Sequence, residues 1–307
     1  MGAATREAYG QALVQLIENE DVVVLDADLA HATKTIEFKK KCPERFFDMG
    51  IAEQDMVATA AGFATSGKIP FVSSFAIFAA GRAFEQIRNS VCYPKLNVKI
   101  AATHAGITVG EDGGTHQAVE DISLMRSIPN MVVLNPADDI EAKAAIFAAV
   151  EYYGPVYIRL GRAATPTIHD SNYKFNIGKG EVLTEGNDVA IIATGIMVAK
   201  ALEAEESLRN EGIKATVVNI STIKPIDKEL IINVAKKTGK VVIAEEHSII
   251  GGLNSAVCEV LSHEYPVKVK SVGINDLFGK SGTPAELLEG YGLTADNIVR
   301  VTKEFFR

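Results

Sequence analysis

The sequence predicts an α/β fold in two domains, each built on a mostly parallel sheet covered by helices on both faces. Three observations carry this. Short apolar runs alternate with helix-period segments from the N-terminus to about residue 162. Residues 163–187, "AATPTIHDSNYKFNIGKGEVLTEGN", then break the rhythm with Pro166, Asp170, Ser171, Asn172 and several glycines. After them the alternation restarts. The expected domains are therefore 1–170 and a smaller one at 180–307, joined by a linker.

The elements follow in order. "TREAYGQALVQLIEN" reads as a helix with Thr5 as its N-cap. "DVVVLDADLA" is a buried strand ending in acids. "IAEQDMVATAAGFATSG" is a helix of small residues stopped by Gly67. "IPFVSSF" is a strand, "GRAFEQIRNSVCY" an amphipathic helix, and "NVKIAATHAG" a strand that runs into the loop "GEDGGTHQAVE". "VEDISLMRSI" is a helix, with Thr115 as a candidate cap and His116 and Gln117 in its first turn. "NMVVLNP" is a strand, "DDIEAKAAIFAAVEYY" a helix capped by Asp138 or Asp139, and "PVYIRLGR" the closing strand. In the second half "DVAIIAT", "KATVVNI", "KVVIAEE" and "VKVKSVGI" are strands. "MVAKALEAEESLRNEG" and "GGLNSAVCEVLSHEY" are helices between them. Long apolar strand runs of this kind fit a sheet buried on both faces.

Composition narrows the function. The chain has 307 residues, 47% hydrophobic and 23% charged, which is enough for a sizeable core. A net charge of −8 disfavours nucleic acid or an anionic membrane as partner. No stretch approaches ~20 uninterrupted apolar residues, and the start lacks a basic-then-apolar leader. Cys42, Cys92 and Cys258 match no metal spacing and fit a reducing cytoplasm. No phosphate-binding loop ending in Lys-Ser or Lys-Thr, no G-x-G-x-x-G after a strand, no HExxH and no G-x-S-x-G elbow occurs.

Several residues have both a plain and a chemical reading. Glu53 begins a small-residue helix; it is either a charge favoured by the helix dipole or a buried functional acid. Phe75 and Phe78 in "SSFAIFAAGRAF" are either core or a flat slot for a heteroaromatic ring. The glycines of "GEDGGTHQAVE" permit tight turns and close backbone approach, and its Glu111–Asp112 pair is otherwise a solvated surface feature. His104, alone, is an ordinary structural histidine. Two histidines and an acid converging on strand ends point more strongly to chemistry. Arg6, Arg159 and Arg162 are either surface ion-pair partners or phosphate ligands, for which paired guanidinium donors are suited.

Taken together, "ATREAYG", "LDADLA", "GIAEQDM", "SSFAIFAAGRAFEQIR", "THAGITVGEDGGTHQAVED" and "AEEHSIIGGLNSAV" resemble, in this order, the C-terminal half of transketolase. The loop after a His-bearing strand is characteristic of transketolase and its deoxyxylulose-phosphate synthase relatives. The resemblance implies a pyrimidine-binding, thiamin-fold domain followed by a transketolase C-terminal domain. It also implies a missing diphosphate-binding part, because no Gly-Asp-Gly with a distant Asn is present. The expectation is the C-terminal subunit of a split transketolase. Such a chain needs a separate N-terminal subunit that holds Mg²⁺ and the diphosphate of a shared thiamine diphosphate, in an α2β2 assembly. The reaction implied is transfer of a two-carbon glycolaldehyde unit between sugar phosphates.

On this resemblance Glu53 bonds the coenzyme's aminopyrimidine ring, and a dry apolar setting keeps a proton on its carboxyl. Phe75 and Phe78 flank that ring, and Asp28 lies near it. His116 bonds the donor's oxygens and moves protons. Asp112 reads a sugar hydroxyl, and His104, Arg6 and Arg162 hold the sugar phosphate. The glycines bring the loop backbone to the sugar. The chain departs from the family at Gly114, where many members have Pro, and at Ala32, where a serine often helps to hold the phosphate; Thr33 stands next to it. Two other enzymatic readings are the β-subunit of a 2-oxoacid dehydrogenase, which the loop and His104 disfavour, and a deoxyxylulose-phosphate synthase fragment. A non-catalytic scaffold would have no chemical need for Glu53, His104, Asp112 and His116 together.

Overall fold

The computed structural model describes residues 2–307. Two sheets form its frame. The first holds β1 (Val22–Asp26), β2 (Phe46–Asp48), β3 (Ile69–Phe75), β4 (Lys99–Thr103), β5 (Val132–Leu134) and β6 (Val156–Arg159). The second holds β7 (Glu181–Thr184), β8 (Val189–Ala193), β9 (Ala215–Asn219), β11 (Lys240–Ser248) and β12 (Lys268–Ile274). The remaining strand, β10 (Thr222–Lys224), leaves the second half of the chain and pairs antiparallel with β5, so the first sheet reads β10-β5-β6-β4-β3-β1-β2. All its other pairings are parallel. The second sheet reads β12-β11-β8-β9-β7, parallel apart from β7.

Every residue of β1, β4, β5, β6, β8 and β9 is buried, as covered parallel strands require. Helices Thr5–Gln15 and Asp139–Glu151 cover one face of the first sheet through Ala12, Leu13, Ala142 and Ile146. A second buried cluster runs from Val72 and Ile100 of the first sheet to Ile192, Val218 and Ile243 of the second, so the two halves share a continuous apolar interior.

Three short strands escape the sequence reading for physical reasons. β2 and β10 are only three residues long, too short to show a period. β7 lies at a sheet edge with all four residues only partly buried, so it carries no apolar run and falls inside the expected linker. Two expected caps are also corrected. Thr5 is the first helical residue, not the cap; its Oγ1 accepts from the Gly161 amide at 2.7 Å and ties the N-terminal helix to the end of β6. Thr115 caps nothing: the following helix is Asp121–Ser127, so His116 and Gln117 lie in the turns before it. Asp138 does cap its helix, accepting from the Glu141 amide at 2.7 Å. The segment expected as one amphipathic helix is helical but unusually wound. Ile77–Arg82 and Ile87–Cys92 follow i→i+5 π-type winding around a short α turn, Phe84–Gln86.

Candidate active site

The carboxyl ends of β1, β3, β4 and β6 lie side by side, and the chain leaves β1 in opposite directions along the sheet, first to β2 and then back to β3. Such a switch point leaves a crevice that α/β proteins use for ligands. Glu53 is brought to it by helix Glu53–Thr65, of which it is the first residue. It is 1% exposed, so it is no solvated dipole partner. Its Oε1 accepts from Ser74 Oγ on β3 at 3.3 Å and its Oε2 accepts from Arg82 Nη1 at 2.7 Å. The dry apolar setting expected for this acid is therefore corrected: a guanidinium and a hydroxyl meet it, as a buried carboxylate demands.

Beside Glu53 stand the aromatic residues. Phe75 ends β3 and Phe78 follows in the π-wound turn; their rings are 6.0 Å apart and inclined by only 11°. The imidazole of His104 stacks on Phe75 at 3.9 Å. His116 approaches Phe78 edge-on at 5.4 Å, and its Nδ1 lies 3.0 Å from Thr115 Oγ1. The Arg82 guanidinium lies over the Phe78 ring at 4.7 Å. Glu53, Arg82, Phe78, His116, Phe75 and His104 thus form one contiguous cluster drawn from three separate stretches of chain.

His104 directly follows β4 with φ +56°, a left-handed conformation uncommon outside glycine, which turns its side chain into the cluster. Its Nε2 lies 3.1 Å from Arg6 Nη1. A guanidinium only donates, so Nε2 accepts and the proton sits on Nδ1, directed at Thr103 Oγ1 2.9 Å away. Burial, then the charges of Arg6, Arg162 and Lys34, push its pKa down to about 3, so this imidazole is neutral at physiological pH. Arg6 also donates to the Ala32 carbonyl at 2.9 Å. Burial and the neighbouring Arg162 charge lower its pKa, so two guanidinium groups share this mouth.

The two arginines after β6 have separate fates. Arg159 is buried, donates to Asp121 Oδ2 at 2.9 Å and to the Glu246 carbonyl at 3.0 Å, and so locks the two halves together. Arg162 is partly exposed, bonds the Val109 carbonyl and lies 3.2 Å from Glu111. Only Arg162 faces the mouth with Arg6. Thr33 is not free for an anion, since its Oγ1 donates to the buried Asp26 at 2.6 Å. Asp28 stands apart from the aromatic cluster. It is exposed, has φ +62°, and borders a separate open cavity of about 350 Å³ with His31, Lys39 and Asp48.

In the loop, Asp112 is exposed at the tip and Gln117 is buried. The Gln117 amide donates to the carbonyls of Ile107, Gly110 and Lys280 at 3.0–3.2 Å. The glycines also have a packing role. A Cβ at Gly113 would lie 2.6 Å from Ser281 Oγ and one at Gly114 only 2.5 Å from the Gly279 carbonyl. The small residues are needed where the loop packs on segment 279–281 of the second half. Ser74, Arg82 and Gln117 are the members of the site that sequence reasoning did not assign. Arg82 stands four residues after Phe78, a spacing that places two helical residues on one face.

Comparison with known proteins identifies the family of the chain. The family "Transketolase, pyrimidine binding domain" matches residues 1–167, and "Transketolase, C-terminal domain" matches residues 178–298. A candidate transketolase C-terminal section from Methanocaldococcus jannaschii is 53% identical, covering 96% of this chain and 94% of its own. A 6-deoxy-6-sulfo-D-fructose transketolase subunit from Clostridium sp. (strain MSTE9) is 46% identical over 97% of this chain and 93% of its own. Among solved structures, a split gene transketolase described as an inactive β4 tetramer is 58% identical with a TM-score of 0.91, covering 99% of this chain and 98% of that one. With both domains matched and such identity over nearly its whole length, the chain belongs to the transketolase family.

Proposed function

We propose that this chain is the C-terminal subunit of a thiamine diphosphate-dependent transketolase. Residues 1–170 would serve as its pyrimidine-binding domain and 180–307 as its C-terminal domain. The reaction is transfer of a two-carbon glycolaldehyde unit from a ketose phosphate to an aldose phosphate. The observation that carries the reading is the buried Glu53 carboxylate, joined through the Arg82 guanidinium to Phe78 of the Phe75–Phe78 pair. These residues fit the pyrimidine end of the coenzyme, since a flat, N–H-bearing guanidinium already lies against the same carboxylate and the same ring. The relatives of split type support a separate N-terminal subunit, which would hold Mg²⁺ and the diphosphate, in an α2β2 complex in the cytoplasm. The inactive β4 assembly named for the neighbouring structure supports a chain that needs a partner.

Thiamine diphosphate, when bound, supplies the electron sink for cleaving the ketose carbon–carbon bond. The chain's own residues have the following tasks. Glu53 holds the ring nitrogen at its carboxyl group, the oxygen now paired with Arg82 being the one the ring reaches. Phe75 and Phe78 exclude water and fix the ring's plane. Asp28 would reach the coenzyme only from the neighbouring cavity that it borders. His104, held neutral, orients substrate oxygens by hydrogen bonding without adding charge. His116, half-buried against Phe78, moves protons on the donor oxygens. Asp112 contacts a sugar hydroxyl. Arg6 and Arg162 hold the anionic end of the sugar. The same two cations suit a sulfonate, and the sulfofructose relative makes sulfo-sugars worth including in the substrate panel.

The test is reconstitution. The purified chain, an N-terminal subunit, Mg²⁺ and thiamine diphosphate should together transfer two-carbon units from ketose phosphates. Efficient transfer by the chain alone would overturn the two-subunit reading.

A further inference from the structure

Arg82 plays no part in the function proposed above, yet it makes the shortest contact to the central acid. Its Nη1 donates to Glu53 Oε2 at 2.7 Å, and its guanidinium carbon lies 4.7 Å over the Phe78 ring. A nitrogen heterocycle held by Glu53 beside Phe78 needs these same two surfaces: a carboxylate oxygen at its edge and an aromatic face beside it. A guanidinium is planar, carries N–H donors along its edge and stacks on aromatic rings, so it makes the same pair of contacts. The two groups cannot use Glu53 Oε2 and that part of the slot together.

The pair is unequal. Glu53 is 1% exposed, whereas the Arg82 side chain is 47% exposed. A buried carboxylate without a partner is costly, so the acid needs a companion in either condition. The arginine, with half its surface in water, can swing out and remain solvated. We infer that Arg82 is a resident competitor for Glu53: it keeps the acid paired, and it must leave when the pyrimidine ring takes the acid. The cost of that exchange sets part of the coenzyme affinity. The inference rests on the coenzyme reading of Glu53.

The test measures thiamine diphosphate binding by calorimetry in the reconstituted two-subunit complex with Mg²⁺. Arg82→Ala and Arg82→Gln should bind the coenzyme roughly three- to tenfold more tightly than wild type, because no ion pair has to be broken. Arg82→Lys keeps the charge but not the planar stack on Phe78 and should fall between wild type and the neutral variants. The isolated Arg82→Ala chain should melt at a lower temperature, and Arg82→Gln, which keeps an N–H donor for Glu53, guards against loss of the fold. Affinity that is unchanged or weaker in both neutral variants overturns the inference and makes Arg82 a structural partner or a direct ligand. A wild-type complex that binds no thiamine diphosphate overturns the coenzyme reading, and this inference with it.

Discussion

Replacing His169 by Gln should remove a pH-dependent clip between the two halves. His169 lies in the linker and is buried. Its Nδ1 is 2.9 Å from Asp138 Oδ2, the cap of a first-domain helix, and its Nε2 is 3.1 Å from Glu181 Oε2 on β7 of the second sheet. Burial lowers its pKa, but the Asp138 bond and the charges of Glu141, Asp138 and Glu181 outweigh it and raise the value from 6.5 to about 9. A raised folded-state pKa means stability that is fully present below about 6.5 and is lost as pH rises through about 9. At ~1.36 kcal/mol per unit the full effect is ~3–4 kcal/mol; solvent around the half-exposed Glu181 reduces it to about 2 kcal/mol. Urea unfolding of wild type and variant at pH 6, 8 and 10 isolates this contribution, because other titrating groups cancel in the difference. The wild-type advantage should be about 2 kcal/mol larger at pH 6 than at pH 10, roughly 4 °C in midpoint on heating. A difference that is constant with pH, or grows toward pH 10, would refute the charged bridge.

Other expectations concern the site. Glu53→Gln in the reconstituted complex should lower turnover by about 10²- to 10⁴-fold while circular dichroism stays unchanged. Hydrogen–deuterium exchange at the coenzyme's reacting carbon should slow with it, and normal exchange would remove Glu53 from that role. His116→Ala should lower kcat more than it weakens coenzyme binding; the opposite pattern would move His116 to the coenzyme site. Gly114→Ala places a Cβ 2.5 Å from the Gly279 carbonyl and should cost roughly 1–3 kcal/mol in an unfolding experiment. Full stability of that variant would show that the two loops are not in tight contact.

Much of the fold was legible in the residues. Long apolar runs such as "VVVLD" and "VAIIA" bury wherever they go, so β1 and β8 announce themselves. β7 does not, because an edge strand half open to water needs no apolar period. β10 is held by its partner strand more than by its own three residues. In the site, Glu53 and the Phe75–Phe78 pair were visible as an acid and aromatics in small-residue surroundings. Arg82 was visible only as one more charge on a helix, and the neutrality of His104 depends on its burial and then on Arg6 and Arg162 from distant segments.

By itself the sequence determined the α/β alternation, the two-part organisation and the short list of acids, histidines and arginines from which a site is made. Those follow from local rules, in which apolar period, caps and turns act over a few residues. The tertiary structure alone decided that Arg159 is a buried lock and Arg162 a surface group, and that Glu53 is paired with Arg82. It also decided that the loop glycines serve packing against segment 279–281. Those outcomes depend on what lies across a few ångströms of space from residues far apart in the chain, where burial and opposite charge act and no local pattern records them.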